Sequence, residues 1–315
     1  MGKLKFGVFL PFYGFQTKTP KDHYLQLQAV TLECEKLGYD SVWLDDHLMY
    51  GESPILECWT ALTALAAVTS RIRLGTMVAC TAHRNPALLA KAASTLDVIS
   101  GGRLELGLGS GIQEAEHRAY GFGFAKPKVR AEQLAESLEI ILRLWTEPKA
   151  TFQGKHYRLR GAVCDPKPHQ KPHPPLIVGG CGEKHTLPIT AKYADRFDWG
   201  FVPSIEEYKR KLSVLERYCL SGDRNFEGIE RSCWPSGQIL MAETQSALDR
   251  KVDQFKPKGT SRMDFEKYTL AATPKSCIEH LRSYVTLGVT YFMLYFADLP
   301  SLESLKLFSQ SAQLC

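Results

Sequence analysis

The chain has 315 residues, 44% hydrophobic and 23% charged, a globular balance that excludes disordered and fibrous proteins. Its net charge of +5 is small, and no run of five or more like charges supplies the basic stripe of a nucleic-acid-binding surface. No segment approaches the roughly 20 apolar residues that span a bilayer, so no membrane partner is expected. Nine cysteines, an odd number with no CxxC, read as reduced thiols of a cytoplasmic protein. Zinc-type clusters and HExxH are absent from the spacing. A single ExxH, Glu114 to His117, falls short of the two that a di-iron bundle needs, so no metal is expected.

Lys5 to Leu10 is an apolar run stopped by Pro11, the form of a strand buried on both faces. No small-residue cleavage site follows it, so it reads as a first strand rather than a signal sequence. Asp22 to Leu37 has helical spacing and ends at Gly38; Ser41 to Leu44 is the next strand. A helix over Cys58–Thr69, a strand over Ile72–Ala79, a helix over Pro86–Ile99 and a strand over Arg103–Leu108 follow. Val129 to Trp145 is a long amphipathic helix. The alternation resumes with strands at Pro175–Val178, Arg196–Val202, Ser236–Ala242 and Thr290–Tyr295. Their helices cover Glu183–Tyr193, Ile205–Tyr218, Ser276–Leu287 and Leu302–Ser311.

Eight strands, each followed by a helix, suit parallel pairing and favour a closed α/β barrel, the (β/α)8 TIM barrel, over an open doubly wound sheet. Such barrels reach about 250 residues or more as one domain, so a single domain over 1–315 is expected. Three stretches break the alternation. Ile112–Lys128 reads as a loop. Glu147–Pro174 holds a small hairpin around Tyr157–Leu159. Thr244–Thr273 is charged and reads as mobile or lid-like.

In a parallel barrel, residues just past each strand gather at one mouth. After the second strand come Asp45, Asp46 and His47: carboxylates that could raise the basicity of an imidazole, or a turn cap beside a solvated histidine. After the third, Gly75 to Arg84 offers small residues against which a flat ligand could lie, or an ordinary turn. After the fourth, Gly107-Leu108-Gly109-Ser110-Gly111 is neither a GxGxxG fingerprint nor a GxSxG elbow, yet it permits close backbone approach. After the fifth, Gly179-Gly180-Cys181-Gly182 leads into a helix, the form of an anion site or of a plain tight turn.

Leu65 to Thr76 resembles the third-strand signature of luciferase-like monooxygenases, and Asn85–Lys91 with Leu96–Arg103 continues the likeness. The Gly107–Gly111 cluster, Leu144–Glu147, Pro166–Pro168, Pro172–Pro175 with Gly179-Gly180, and Thr273 to Val289 extend it over nearly the whole chain. The stretch most resembles the branch that uses the deazaflavin coenzyme F420, in which an Asp-His pair follows the second strand, here Asp46-His47.

What this resemblance implies is an F420-dependent oxidoreductase that passes a hydride between the cofactor and a small organic substrate. The alternative is an FMN-dependent monooxygenase that uses oxygen and reduced flavin. His47 would be catalytic, assisting proton transfer beside the reactive ring. Cofactor contacts are implied at Asp46, at Met77 and Val78, whose bond matches the family's non-proline cis peptide, and at Cys80. The same holds for Gly109, Ser110 and Gly111, and for Gly179, Gly180, Cys181 and Gly182 at the phosphate-contacting turn. An anionic cofactor tail could meet Arg84, Lys126, Lys128 or Lys184. Such barrels often dimerise, and nothing in one sequence decides that. Ile112 stands where some sugar-phosphate-oxidising relatives carry a carboxylate, and Gln113 where many have Asn, so their acid–base pair and substrate do not carry over.

Overall fold

The computed structural model describes residues 3–11 and 19–312; Met1, Gly2, 12–18 and 313–315 of the expected domain lie outside the described residues. The first half runs β1 (Lys5–Phe9), α1 (Pro20–Leu37), β2 (Ser41–Leu44), α2 (Cys58–Val68), β3 (Arg73–Thr76), β4 (Ala79–Cys80), α3 (Pro86–Ile99) and β5 (Leu104–Gly109). Next come α4 (Glu114–Ala119), α5 (Pro127–Thr146), β6 (Ala150–Gln153), β7 (Arg158–Ala162), β8 (Leu176–Gly179), α6 (Thr186–Tyr193) and β9 (Arg196–Asp198). The chain closes through α7 (Ile205–Ser221), β10 (Ser232–Cys233), β11 (Gln238–Met241), α8 (Gln245–Phe255) and α9 (Arg262–Glu266). The last elements are β12 (Thr269–Ala272), α10 (Pro274–Val285), β13 (Tyr291–Leu294) and α11 (Glu303–Ala312).

Eight parallel strands in the order β10-β13-β1-β2-β3-β5-β8-β9 form the barrel. Bridges from Arg196 to Glu230 and from Phe201 to Trp234 set β9 beside β10 and nearly close the ring. The third strand is split: it breaks at the Met77–Val78 bond, which is cis, and β4 continues it against β5. Helix starts follow local chemistry. The Asn85 side chain accepts from the Ala87 N–H with Pro86 in the first turn, and Ser204 accepts from the Glu207 N–H.

Three expectations are corrected. The seventh strand of the ring is Ser232–Cys233, not Ser236–Ala242; Gln238–Met241 instead pairs in parallel with β12 in a separate two-stranded sheet. The apolar run at 239–241 has the stronger strand composition, but ring position is set by tertiary contacts. Ser232 Oγ donates to the Phe197 carbonyl, and Tyr208 OH donates to the Ser232 carbonyl at 2.8 Å. The stretch Thr244–Thr273 is folded into α8, α9 and β12, with Leu248 and Val252 buried against Leu240 and Phe265. Ile112–Lys128 contains the short helix α4. The hairpin expected within Glu147–Pro174 is present as antiparallel β6 and β7. No helix of the described residues is long and apolar enough to cross a membrane.

Strand alternation divides the core. Val8, Leu10, Val42 and Leu44 point outward into the layer shared with the helices, while Phe9, Trp43, Met77, Ile177, Tyr291 and Met293 fill the ring. Trp43 is fully buried and donates from Nε1 to Ser41 Oγ at 2.6 Å and to Tyr291 OH at 3.0 Å. Its ring fits only because β3 carries Gly75, where a Cβ would lie 2.2 Å from the indole. Beside it, Glu105 accepts from Arg73 Nε at 2.5 Å and from Arg196 Nη2, and the Arg196 guanidinium lies 3.8 Å over the Tyr291 ring.

Burial pushes the Glu105 carboxyl pKa up, but the facing Arg196 and Arg73 outweigh it and hold the pKa below the ordinary value. A carboxylate whose folded pKa is depressed stabilises the fold above its unfolded pKa of about 4.3 and loses that stabilisation as pH falls through the folded value. Glu105→Gln leaves Arg196 short of its buried partner and is expected to cost about 3–5 kcal/mol at neutral pH. Urea unfolding of both proteins should show that difference at pH 7 and a narrowing gap as pH drops below about 4.

Candidate active site

The proposed catalytic and ring- and phosphate-contacting positions all line one cavity of about 430 Å³ at the C-terminal ends of the strands: His47, Asp46, Met77, Val78, Cys80, Gly109, Ser110, Gly111, Gly179, Gly180, Cys181 and Gly182. Asp45 to His47 leave β2, Cys80 ends β4, Gly109 to Gly111 leave β5, and Gly180 to Gly182 leave β8. The volume falls in the range of about 300–1,000 Å³ typical of small-molecule sites. Phe9, Asp198, Trp199 and Trp234 also line the wall. Trp234 donates from Nε1 to Asp198 Oδ2 at 2.7 Å, and burial raises the Asp198 carboxyl pKa.

Three features fix the walls. Val78 is seated between two glycines: a Cβ on Gly109 would lie 2.6 Å from a Val78 methyl, and one on Gly179 would lie 2.8 Å from both methyls. Asp46 is buried; its Oδ2 accepts from the Cys80 N–H at 2.9 Å and from Arg84 Nη1 at 2.5 Å. Its Oδ1 is also buried, with no hydrogen-bond partner among the described residues, so an acceptor is left over in the cavity wall. The turn Gly180–Gly182 leads towards α6, whose start has no side-chain cap; the Gly182 carbonyl instead accepts the Thr186 and Leu187 N–H groups at 2.8 and 3.0 Å, so only the helix dipole and the turn's own backbone are left to favour an anion.

A residue that sequence reading passed over organises the histidine. Glu116, on α4 and only 3% exposed, accepts from His47 Nδ1 at 3.1 Å through Oε2. Its Oε1 accepts the backbone N–H groups of Leu48 at 2.5 Å and Met49 at 3.2 Å, which clamps the segment behind His47. Burial pushes the Glu116 pKa up, but these N–H donors and His47 outweigh it and leave it below the ordinary value. His117 follows on the same turn, its Nδ1 2.8 Å from the Gln113 carbonyl and its Nε2 3.7 Å from Cys80 Sγ. Burial beside Asp46 and Glu116 raises the Cys80 thiol pKa to about 11. The one motif that touches this segment in the sequence, the Glu114-x-x-His117 spacing, falls short of a di-iron element and does not single out Glu116. A helix within the expected loop is needed to aim Glu116 inward.

Arg84 is turned to Asp46 and to Glu57, whose Oε1 is 2.5 Å away, so it is committed to structure rather than to a cofactor tail. Lys126, Lys128 and Lys184 are exposed. Ile112 is 81% exposed on the rim, and the carboxylate that reaches His47 is Glu116, one helical turn later.

An eight-stranded parallel barrel with its polar side chains converging at the strand exits defines an α/β-barrel enzyme. Comparison with known proteins refines that class, and the chain belongs to the luciferase-like monooxygenase family, whose model matches residues 4–291. It is 32% identical over 300 residues to an F420-dependent glucose-6-phosphate dehydrogenase of Amycolatopsis mediterranei, covering 85% of this chain and 87% of that protein. Its identity to the protein of the same description from Mycobacterium tuberculosis is 27% over 303 residues, 86% of this chain and 87% of that one. The fold matches an F420-dependent secondary alcohol dehydrogenase in complex with an F420-acetone adduct, with a TM-score of 0.80 at 19% identity over 98% of each chain.

Gly111 has φ +75°, and a Cβ there would lie 2.8 Å from Cys80 Sγ and 2.9 Å from the His117 ring. Gly111→Ala is therefore expected to lose about 1–3 kcal/mol, read as a lower urea midpoint. An unchanged midpoint would show that the loop relaxes without cost.

Proposed function

We propose that this chain is an F420-dependent oxidoreductase acting on a small organic substrate in the barrel mouth. The observation that carries the reading is the convergence of Asp46-His47, the Met77–Val78 bulge and the Gly179–Gly182 turn on one cavity. The likeness to F420-dependent dehydrogenases, over 85% and 86% of the chain, favours the deazaflavin over FMN. The chain is read as one barrel domain.

The residues present fit such a cofactor. The Val78 side chain, held between Gly109 and Gly179, offers an apolar surface for a flat ring. The leftover Oδ1 of Asp46 would accept from a ring or side-chain donor, and the backbone of the Gly180–Gly182 turn, ahead of α6 on the cavity wall, would meet a phosphate. When bound, F420 supplies a ring carbon that accepts or donates a hydride.

The chain's own share is the proton. Glu116 is charged at neutral pH and accepts from His47, which places the hydrogen of the neutral imidazole on Nδ1. Nε2 is then the basic atom. It takes the proton of a reacting hydroxyl as the substrate is oxidised, or returns it in the reverse direction, and Glu116 stabilises the imidazolium that forms. Glu116 is thus a positioning residue. Ile112 leaves the rim apolar at the place where some sugar-phosphate-oxidising relatives carry an acid, so their acid–base pair is not assigned to this mouth.

Fluorescence titration of the purified protein should give saturable F420 binding and none with FMN; binding of FMN alone would sink the cofactor assignment. Under anaerobic conditions, with alcohols, carbonyl compounds and sugar phosphates as substrates, His47→Ala should bind F420 and lose turnover by about 10²–10⁴-fold. Turnover equal to wild type would remove the proton role. Glu116→Gln should lower kcat and displace the pH profile while keeping cofactor affinity.

A further inference from the structure

Beside the His47–Glu116 pair, one wall of the mouth holds Cys80, His83 and His117, of which His47 and Glu116 make no direct use. The candidate ligand atoms of these three residues all lie within 4.8 Å of one another. They come from three places in the fold: the end of β4, the turn that follows it, and α4.

We propose that Cys80 Sγ, His83 and His117 Nε2 form a three-ligand site for a zinc-class divalent transition ion, with the fourth coordination position opening on the cavity. Zinc–sulfur and zinc–nitrogen bonds of about 2.3 and 2.0–2.1 Å at tetrahedral angles put sulfur and nitrogen about 3.6 Å apart. Cys80 Sγ and His117 Nε2 are 3.7 Å apart. The His117 ring is already oriented for ligation. Its Nδ1–H donates to the Gln113 carbonyl at 2.8 Å, which leaves the lone pair on Nε2, the usual outer support of a metal-bound histidine.

His83 supplies the independent observation. Its side chain is 2% exposed, and among the described residues neither ring nitrogen has a hydrogen-bond partner. The ring is stacked on Phe122 at 5.3 Å, so it is held against the cluster rather than turned to water. A buried polar group left in that state is costly, and coordination to an ion removes the cost. Asp46 Oδ2 and Glu116 Oε2 stand 3.9 and 3.8 Å from the two His83 nitrogens, near enough to offset a dication without joining its ligand set. The space itself is kept open by Gly111, where a Cβ would crowd both the sulfur and the His117 ring. One thiolate and two imidazoles suit zinc and cobalt rather than magnesium or calcium, which take oxygen. Three protein ligands and one open position are the pattern of an ion that meets a water or a ligand oxygen.

Cobalt(II) tests the site without any cofactor, so failure here leaves the F420 reading standing. Chelator-treated, folded wild type titrated with Co2+ should bind one ion per chain and develop a thiolate-to-cobalt charge-transfer band in the near ultraviolet. Cys80→Ser should lose the band, and His83→Gln should weaken binding by at least about tenfold. Absence of the band from folded wild type would overturn the proposal, and so would stoichiometric binding that Cys80→Ser leaves unchanged. The band is read on wild type, so the test stands even where a variant fails to fold.

Discussion

A barrel of eight strands encloses a space that must be filled, and here one aromatic and one ionic cluster fill it. Trp43 crosses the interior against Gly75 and shares hydrogen bonds with Ser41 and Tyr291, while Glu105 and Arg196 neutralise each other between β5 and β9. Close packing leaves little tolerance for a different strand arrangement around this group. The ring therefore has a fixed set of neighbours, and with it a fixed set of strand exits. All the chemistry at the mouth depends on that geometry.

Above the filled interior, the mouth is built by pairing loops that are distant in sequence. Glu116 on α4 binds the backbone behind His47, and Asp46 binds the Cys80 N–H and Arg84, so the exits of β2, β4 and β5 support one another. Each carboxylate has one oxygen bound to backbone N–H groups, which orients the side chain before any ligand arrives. This pre-organisation fixes the walls of a small cavity and the place of His47 within it, which the proposed function draws on.

Much of the fold was legible because barrel strands buried on both faces appear as short apolar runs between amphipathic helices. Val8, Trp43, Leu74, Leu106 and Ile177 announce their strands this way. The seventh did not. Ser232-Cys233 is short and half polar, while the better strand-former at 239–241 pairs elsewhere. Propensity reports the local chain, and ring closure is a global condition. Glu116 and His117 were hidden for a related reason: the six-residue helix α4 has no side-chain cap at its start and is held by what it touches.

The sequence alone determined the parallel α/β class, the strand exits at His47, Met77–Val78, Gly109–Gly111 and Gly179–Gly182, and the likeness to one family, because these are written in local patterns and contiguous motifs. Tertiary structure alone decided that Glu116 orients His47, that Arg84 is spent on Asp46 and Glu57, and that Cys80, His83 and His117 share one corner. Each of those is a meeting of side chains from separate elements. Residue spacing along a chain carries no information about such distances until the ring has set them.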